Sequence, residues 1–145
     1  MTKLNPGDPG CTCYRLRQSA RIVSRTYDMF LAPCGISIGQ FGLLATLSAM
    51  KGESISSVAE VLQMERTTLT RNLIPLQKLG YVAVEQASDR RARSLSLTET
   101  GKKTLAAARP KWEAAQLNLE KQVGKEEINL LNVTLENTLH HLQKN

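Results

Sequence analysis

Apolar residues recur every three or four positions along most of the chain, a pattern that predicts a mainly helical protein. The first helix is predicted from about Tyr14 to Leu31, and its apolar stripe consists of Leu16, Ala20, Val23, Tyr27 and Phe30. The segment from Ala32 to Gly35 contains proline and glycine, which end a helix. A second helix is predicted from about Ile38 to Met50, with Ser37 as its cap.

Two further helices follow in quick succession. A short helix is predicted after the hydroxyl-rich start at Ser54, and a longer one from Glu65 to Leu79. Leucines at helical spacing predict that one face of the longer helix packs in the core. The opposite face carries polar and basic residues that are suited to base edges and phosphates, namely Arg66, Thr67, Thr68, Thr70 and Arg71.

A change of period marks a β-hairpin after Gly80. Residues 81–85 have the β-branched character of a strand, and residues 94–97 alternate serine with leucine, which predicts one buried face. The tip between them is strongly basic, with arginines at Arg90, Arg91 and Arg93 next to Asp89. A helix-turn-helix followed by a basic hairpin is a shape suited to two adjacent grooves of duplex DNA.

Two long helices complete the chain, one from about Glu99 to Val123 and one after Gly124. Their apolar stripes, together with that of the first helix, predict a subunit interface, although the three helices could instead pack within one chain. We expect a single domain over residues 1–145. Within it, residues 11–34 and 99–145 would form dimerisation helices, and residues 36–98 a winged-helix lobe for DNA binding.

The basic residues are concentrated in one part of the chain. The net charge is +6, and residues 65–103 hold eight basic against four acidic side chains, whereas residues 104–145 hold five of each. A local basic excess is typical of a surface that meets a polyanion. No apolar run reaches the roughly 18 residues that a transmembrane helix needs, so we expect a soluble, cytoplasmic protein without membrane contact.

Several short segments resemble the MarR family, the multiple-antibiotic-resistance regulators. They are residues 35–44, 64–71 and 79–82, and, most specifically, Asp89-Arg90-Arg91 followed after six residues by Thr98-Glu99-Thr100-Gly101. The resemblance covers about residues 11 to 143. It implies a mainly α fold with a small β-hairpin wing, in which a winged helix-turn-helix lies between long N- and C-terminal dimerisation helices.

The resemblance also implies a function. Members of the family are homodimeric transcription regulators, commonly repressors, which leave an operator when a small molecule or an oxidant reaches the dimer. The recognition helix would be residues 65–79 and the wing residues 82–97. Arg90 or Arg91 would enter the minor groove, Arg93 would lie beside them, and Asp89 would brace the tip. Gln86-Ala87-Ser88 replaces the charged pattern that many members carry before Asp89.

The double-stranded operator should be an inverted repeat, because the two recognition helices of a dimer enter successive major grooves about 10 bp apart. The effector would be a small phenolic or carboxylate compound lodged between the dimerisation helices and the DNA lobe. The residues that could contribute to such a pocket are Arg17, Arg21, Tyr27 and Trp112. An alternative of the same fold is a thiol-based oxidant sensor that uses Cys11, Cys13 or Cys34.

An enzyme is not expected. The only histidines are the adjacent His140 and His141, and the sequence has no nucleophile motif, phosphate loop or metal-ligand spacing, so we predict no catalytic residue, metal or cofactor. Three cysteines without a Cys-x-x-Cys pair also argue against a zinc site. A helical dimerisation protein that does not bind DNA is a further alternative, but it leaves the three arginines at the hairpin tip unexplained.

Overall fold

The computed structural model describes residues 10–86 and 93–144, and it confirms the predicted fold class of a mainly helical chain with a two-stranded hairpin. The helices are α1 (Thr12–Leu31), α2 (Ile38–Ala49), α3 (Ile55–Val61), α4 (Arg66–Lys78), α5 (Glu99–Val123) and α6 (Lys125–Gln143). A short 3-10 turn at Ala32–Cys34 separates α1 from α2, and the strands are β1 (Val82–Gln86) and β2 (Arg93–Leu97).

The chain divides into two compact units. The helical unit consists of Met1–Phe30 with Trp112–Asn145, and the winged-helix unit consists of Leu31–Lys111. The helix α5 contributes its first half to the winged-helix unit and its second half to the helical unit. The assignment of residues 11–34 and 99–145 to dimerisation stays a prediction.

A core of aliphatic side chains holds the winged-helix unit together. Leucines or valines from four of its elements are fully buried, and these are Leu44, Val58, Leu69, Leu76 and Leu95. The helix α3 packs against α4, while the hairpin contacts α2, α3 and α4. Burial of a leucine or valine side chain contributes about 1.5–3 kcal/mol, so this set gives the unit its own stabilising core.

Side-chain caps fix where three helices of this unit begin. Ser37 accepts a hydrogen bond from the backbone N–H of Gln40, and the Gln40 side chain accepts one from the N–H of Ser37 in return. Ser54 accepts from the N–H of Ser57 at the start of α3. Thr98 accepts from the N–H of Gly101 at the start of α5. Each cap satisfies a backbone amide that has no partner within its helix.

The helical unit buries far fewer of its apolar residues. Tyr27, Ala115 and Ile128 are buried, but the large side chains of Leu16, Leu117, Leu131, Leu139 and Leu142 are between 43% and 69% exposed. Within the described ranges, no single helix is both long and apolar enough to span a membrane, although residues 12–34 and α2 meet the length and composition criteria when they are taken together.

Candidate nucleic-acid interface

A tight turn links α3 to α4. Gln63 takes a left-handed backbone conformation with φ of 52°. Its backbone N–H and its side-chain Nε2 both donate to the carbonyl of Glu60, at 3.1 and 2.9 Å. The N–H of Met64 donates to the carbonyl of Ala59 at 2.9 Å. These bonds set the position at which α4 starts relative to α3.

The helix α4 has one buried and one exposed face. Leu69, Leu73 and Leu76 are at most 2% exposed and fix the orientation of the helix on the core. The predicted DNA-contacting side chains all lie on the exposed part, and they are Arg66, Thr67, Thr68, Thr70 and Arg71. The structure thus brings these five predicted site residues together on two turns of one helix.

One of these residues is partly engaged already. The hydroxyl of Thr70 donates to the carbonyl of Arg66 at 2.9 Å, so its proton points back into its own helix. The oxygen lone pairs and the methyl group stay available to a partner. Thr70 can therefore meet a partner as an acceptor or through its methyl group, whereas the hydroxyls of Thr67 and Thr68 can act as donors.

The base of the wing is a regular antiparallel ladder. Val82 pairs with Leu97, Val84 with Leu95, and the last described pair joins Gln86 to Arg93. Arg93 is exposed at the start of β2, so its guanidinium extends from the strand and not from the tip. Asp89, Arg90 and Arg91 lie outside the described residues, and their roles stay predictions.

The strand β2 anchors the wing to the rest of the unit. The N–H of Leu95 donates to the carbonyl of Glu53 at 3.0 Å, and Ser94 forms an isolated bridge with Ser54. Leu95 itself is fully buried. This anchoring holds β2 beside the start of α3.

Sequence reasoning missed Glu65. This residue stands directly before α4, and its side chain makes no capping hydrogen bond. It lines an open concave surface of 440 Å³ between α3 and α4, together with Ser56, Glu60 and Arg66 among others. A glutamate at a position where serine, threonine, aspartate or asparagine is preferred is the sequence signal that identifies it.

The helical unit contains a large apolar groove of 840 Å³. Tyr27 lines it as one of the predicted effector residues, and Arg15 and Gln116 line it without having been predicted. Arg17 and Arg21 are exposed and Trp112 is half-buried, and none of the three belongs to the groove lining.

A hydrogen-bond chain runs along one wall of this groove. The hydroxyl of Tyr27 donates to Oε1 of Gln116, and Nε2 of Gln116 donates to a carboxylate oxygen of Glu120 at 2.9 Å. Burial raises the pKa of Tyr27 above its ordinary value of 10.0, and the negative charge of Glu120 raises it further. Tyr27 therefore stays neutral over the physiological range and acts as a donor in the groove.

The predicted redox residues occupy separate elements. Cys13 lies on α1, Cys11 just before that helix, and Cys34 in the 3-10 turn. Cys13 is exposed, whereas Cys11 and Cys34 are half-buried. All three are free thiols. Among the described residues, no group of three or more histidine, cysteine or acidic side chains is arranged to hold a metal ion.

Comparison with known proteins identifies the family. No protein-family model matches the chain. The chain is similar to the Mycobacterium tuberculosis transcriptional regulator MosR, whose crystal structure is in complex with DNA, at 34% identity and a TM-score of 0.73. The match covers 88% of this chain and 98% of MosR, which is a MarR-family regulator. The chain belongs to the MarR family.

Membership confirms the resemblance predicted from the sequence, and MarR proteins are DNA-binding transcription regulators. A second MarR relative is the transcriptional repressor CouR, in a structure with a 23-mer DNA duplex. It is 25% identical with a TM-score of 0.82, over 95% of this chain and 99% of CouR.

The transcriptional activatory protein BadR of Rhodopseudomonas palustris is 28% identical over 138 residues, which is 90% of this chain and 74% of BadR. The matched segments span 45% to 74% of the length of such curated relatives. The similar proteins are regulators and not enzymes.

Proposed function

We propose that this MarR-family regulator binds an inverted-repeat operator as a homodimer and that it represses transcription until a small ligand releases it. The observation that carries the proposal is the division of α4, whose leucines are buried while Arg66, Arg71 and the three threonines are exposed. A helix with its core face fixed can enter a major groove without unfolding any part of the unit. The DNA complexes of MosR and CouR support the same role here.

The wing supplies the second contact. Arg90 and Arg91 would enter the minor groove, where a narrow A·T-rich segment concentrates negative potential, and Asp89 would brace them. Arg93 pairs with Gln86 at the end of the ladder that adjoins the tip, so we assign it to a phosphate beside that groove. The anchoring of β2 to Glu53 and Ser54 supports this division, because it fixes the strand that carries Arg93.

The helical unit would form the dimer. It leaves large apolar side chains on α1, α5 and α6 exposed, which is unfavourable in water and favours burial against a second copy. Dimerisation would present two copies of α4 to successive major grooves.

Release would follow from a ligand that binds one dimer conformation better than the other. The apolar groove with Arg15 and the neutral Tyr27 at its wall suits a small aromatic carboxylate, whose acid group would pair with the guanidinium. Arg17, Arg21 and Trp112 would contribute to effector binding from positions outside the lining of this groove. The competing hypothesis is oxidation of the exposed Cys13 thiol, with Cys11 or Cys34 as its partner.

DNA binding is tested by selecting sequences from random duplexes and measuring affinity for the selected operator at several salt concentrations. We expect Arg66→Ala, Arg71→Ala and Arg91→Ala each to lower affinity, and a lost phosphate contact to flatten the log–log salt slope by about 0.9. Arg25→Ala is the matched control, because Arg25 is exposed on α1 and carries the same charge. The wild-type protein and all variants could instead bind DNA equally weakly, without sequence preference and without salt dependence. That result would favour the alternative of a helical dimerisation protein that does not bind DNA.

Release is tested on the same complex with benzoate, salicylate and hydrogen peroxide in separate arms. Release by a carboxylate that Arg15→Gln weakens supports the ligand hypothesis. Release by peroxide alone, which Cys13→Ser abolishes, supports the oxidant sensor and contradicts the ligand-controlled form of the proposal.

A further inference from the structure

Glu65 carries an unpaired carboxylate at the N-terminal end of α4, which is the end that would approach DNA. The residue takes an extended backbone conformation with φ of −59° and ψ of 138°, and its side chain is exposed. Across residues 10–86 and 93–144, no hydrogen bond or ion pair holds this carboxylate. The carboxylate shares its concave surface with the basic Arg66 and the acidic Glu60.

Glu65 does not have the helix-capping role of the residues that precede the other helices of this unit. Ser37, Ser54 and Thr98 stand at the equivalent positions before α2, α3 and α5, and each accepts a hydrogen bond from its helix. Glu65 does not cap α4, although a serine or threonine there would stabilise it. A negative side chain at a helix N-terminus is also favoured by the helix dipole, so this dipole effect and a contact with DNA are the two explanations for the residue type.

The chemistry of a duplex limits what such a carboxylate can meet. Phosphates repel it, so the contact must be with a base edge if the helix enters the major groove. Only the exocyclic amino groups of cytosine and adenine donate hydrogen bonds there. Adenine places its N7 acceptor beside that amino group and repels a second carboxylate oxygen, whereas cytosine presents N4–H₂ without a neighbouring acceptor on its own edge.

We propose that the Glu65 carboxylate accepts a hydrogen bond from N4 of a cytosine in each half-site and is thereby a specificity-determining residue. The inference rests on the proposed DNA-binding function. Its consequence is a sequence preference at the price of weaker general attraction to DNA, because the charge opposes every phosphate nearby. A hydrogen bond to a charged group of this kind should discriminate against a base that cannot donate it by about tenfold.

The test compares the full-length wild-type protein with Glu65→Gln and with Glu53→Gln. Glu53 is also exposed in the winged-helix unit, but it lies before α3, away from the start of α4. Both substitutions remove one negative charge, and Glu65→Gln should strengthen binding to unselected DNA more than Glu53→Gln, because Glu65 stands at the start of the recognition helix. Each protein is used to select operators from the same pool of random duplexes, and its melting temperature is recorded.

We expect cytosine at one fixed position of each wild-type half-site and the same cytosine with Glu53→Gln. With Glu65→Gln the preference should move toward adenine, because a carboxamide both accepts from N6 and donates to N7. Unchanged cytosine with Glu65→Gln overturns the inference while leaving DNA binding intact, and a lower melting temperature in that case assigns Glu65 to helix-dipole stabilisation. A wild-type protein that selects no sequence at all overturns the proposed function and the inference together.

Discussion

The carbonyl oxygen of Tyr81 occupies the place where a side chain on Gly101 would begin. A Cβ atom at Gly101 would overlap this oxygen and would lie 3.0 Å from the Tyr81 carbonyl carbon. The same oxygen accepts a hydrogen bond from the N–H of Thr98 at 3.1 Å, so it cannot move away without breaking that bond. The contact explains in physical terms why a glycine follows Thr98 by three residues, where the first turn of α5 crosses the start of the wing.

Replacing Gly101 by alanine should therefore destabilise the protein by about 1–3 kcal/mol, as expected for overpacking against a rigid backbone group. Gly42→Ala is the matched control. Gly42 lies in α2, where an added Cβ would meet nothing within 4 Å. Because alanine favours a helix over glycine, the control should gain about 0.5–1 kcal/mol. The free energy of unfolding, measured by urea denaturation, should move in opposite directions, and a common shift would contradict the steric explanation.

The sequence predicts those elements whose apolar spacing is local. Leu69, Leu73 and Leu76 identify α4 without any knowledge of the rest, because a helix with one apolar face has a single way to bury it. The Tyr81–Gly101 contact joins residues of two elements and depends on their packing, which spacing does not reveal. For the candidate site, the exposed face of α4 is predictable, whereas the engaged hydroxyl of Thr70 and the free carboxylate of Glu65 depend on hydrogen bonds that only coordinates show.

The effector site was less predictable for the same reason. Tyr27 belongs to the apolar stripe of α1, and it does line the groove of the helical unit. The sequence predicts Arg17 and Arg21 as further candidates, yet Arg15 is the arginine that lines the groove. A shift of two residues on a helix turns a side chain by about 200°, so the choice among neighbouring arginines needs the exact orientation of α1.

Glycine usually destabilises a folded protein when it replaces another residue. The left-handed backbone at Gln63 predicts that glycine does not do so at this position. For a residue with a Cβ that conformation is less favourable by roughly 1–2 kcal/mol, whereas glycine adopts it without this strain. Gln63→Gly should leave the free energy of unfolding unchanged or raise it, in spite of the lost side-chain hydrogen bond to Glu60. Gln63→Val should lower it by about 1–3 kcal/mol, since a branched side chain tolerates this region least.

Gln77 provides the comparison, because it is exposed within α4 and has helical geometry. There, Gln77→Gly should cost about 1 kcal/mol. Thermal and urea denaturation of the three variants would check the pattern. An equal loss on replacing Gln63 and Gln77 by glycine would show that the turn is not strained.

The raised pKa of Tyr27 predicts that part of the stability is lost in alkali. The folded state holds the phenol proton more tightly than the unfolded state, so the contribution is complete below pH 10 and declines as the pH rises through the folded value. The difference in stability between the wild-type protein and Tyr27→Phe should accordingly shrink above pH 10. Tyr14→Phe removes a hydroxyl from a more exposed position on α1 and should track the wild-type curve. Chemical denaturation between pH 8 and about 11 measures this, and curves that stay parallel for Tyr27→Phe would rule the linkage out.

The exposed leucines of α6 predict the oligomeric state. Leu131 is 47% exposed and lines the apolar groove of the helical unit, whereas Leu79 is 48% exposed at the end of α4 in the winged-helix unit. The two leucines match in type and exposure and differ in the unit that carries them. If the helical unit forms the dimer, Leu131→Glu places a charge in a desolvated interface and should weaken association by several kcal/mol. Leu79→Glu should leave association unchanged.

Sedimentation equilibrium would report the result directly, since a dimer has twice the 16.0 kDa mass of one chain. We expect the wild-type protein and Leu79→Glu to sediment as dimers at micromolar concentration and Leu131→Glu to dissociate. Circular dichroism separates dissociation from unfolding, because a folded monomer keeps its helical signal. If the wild-type protein is itself a monomer, or if both variants remain dimers, the helical unit does not form the interface through this face, and the exposed leucines must be covered in another way.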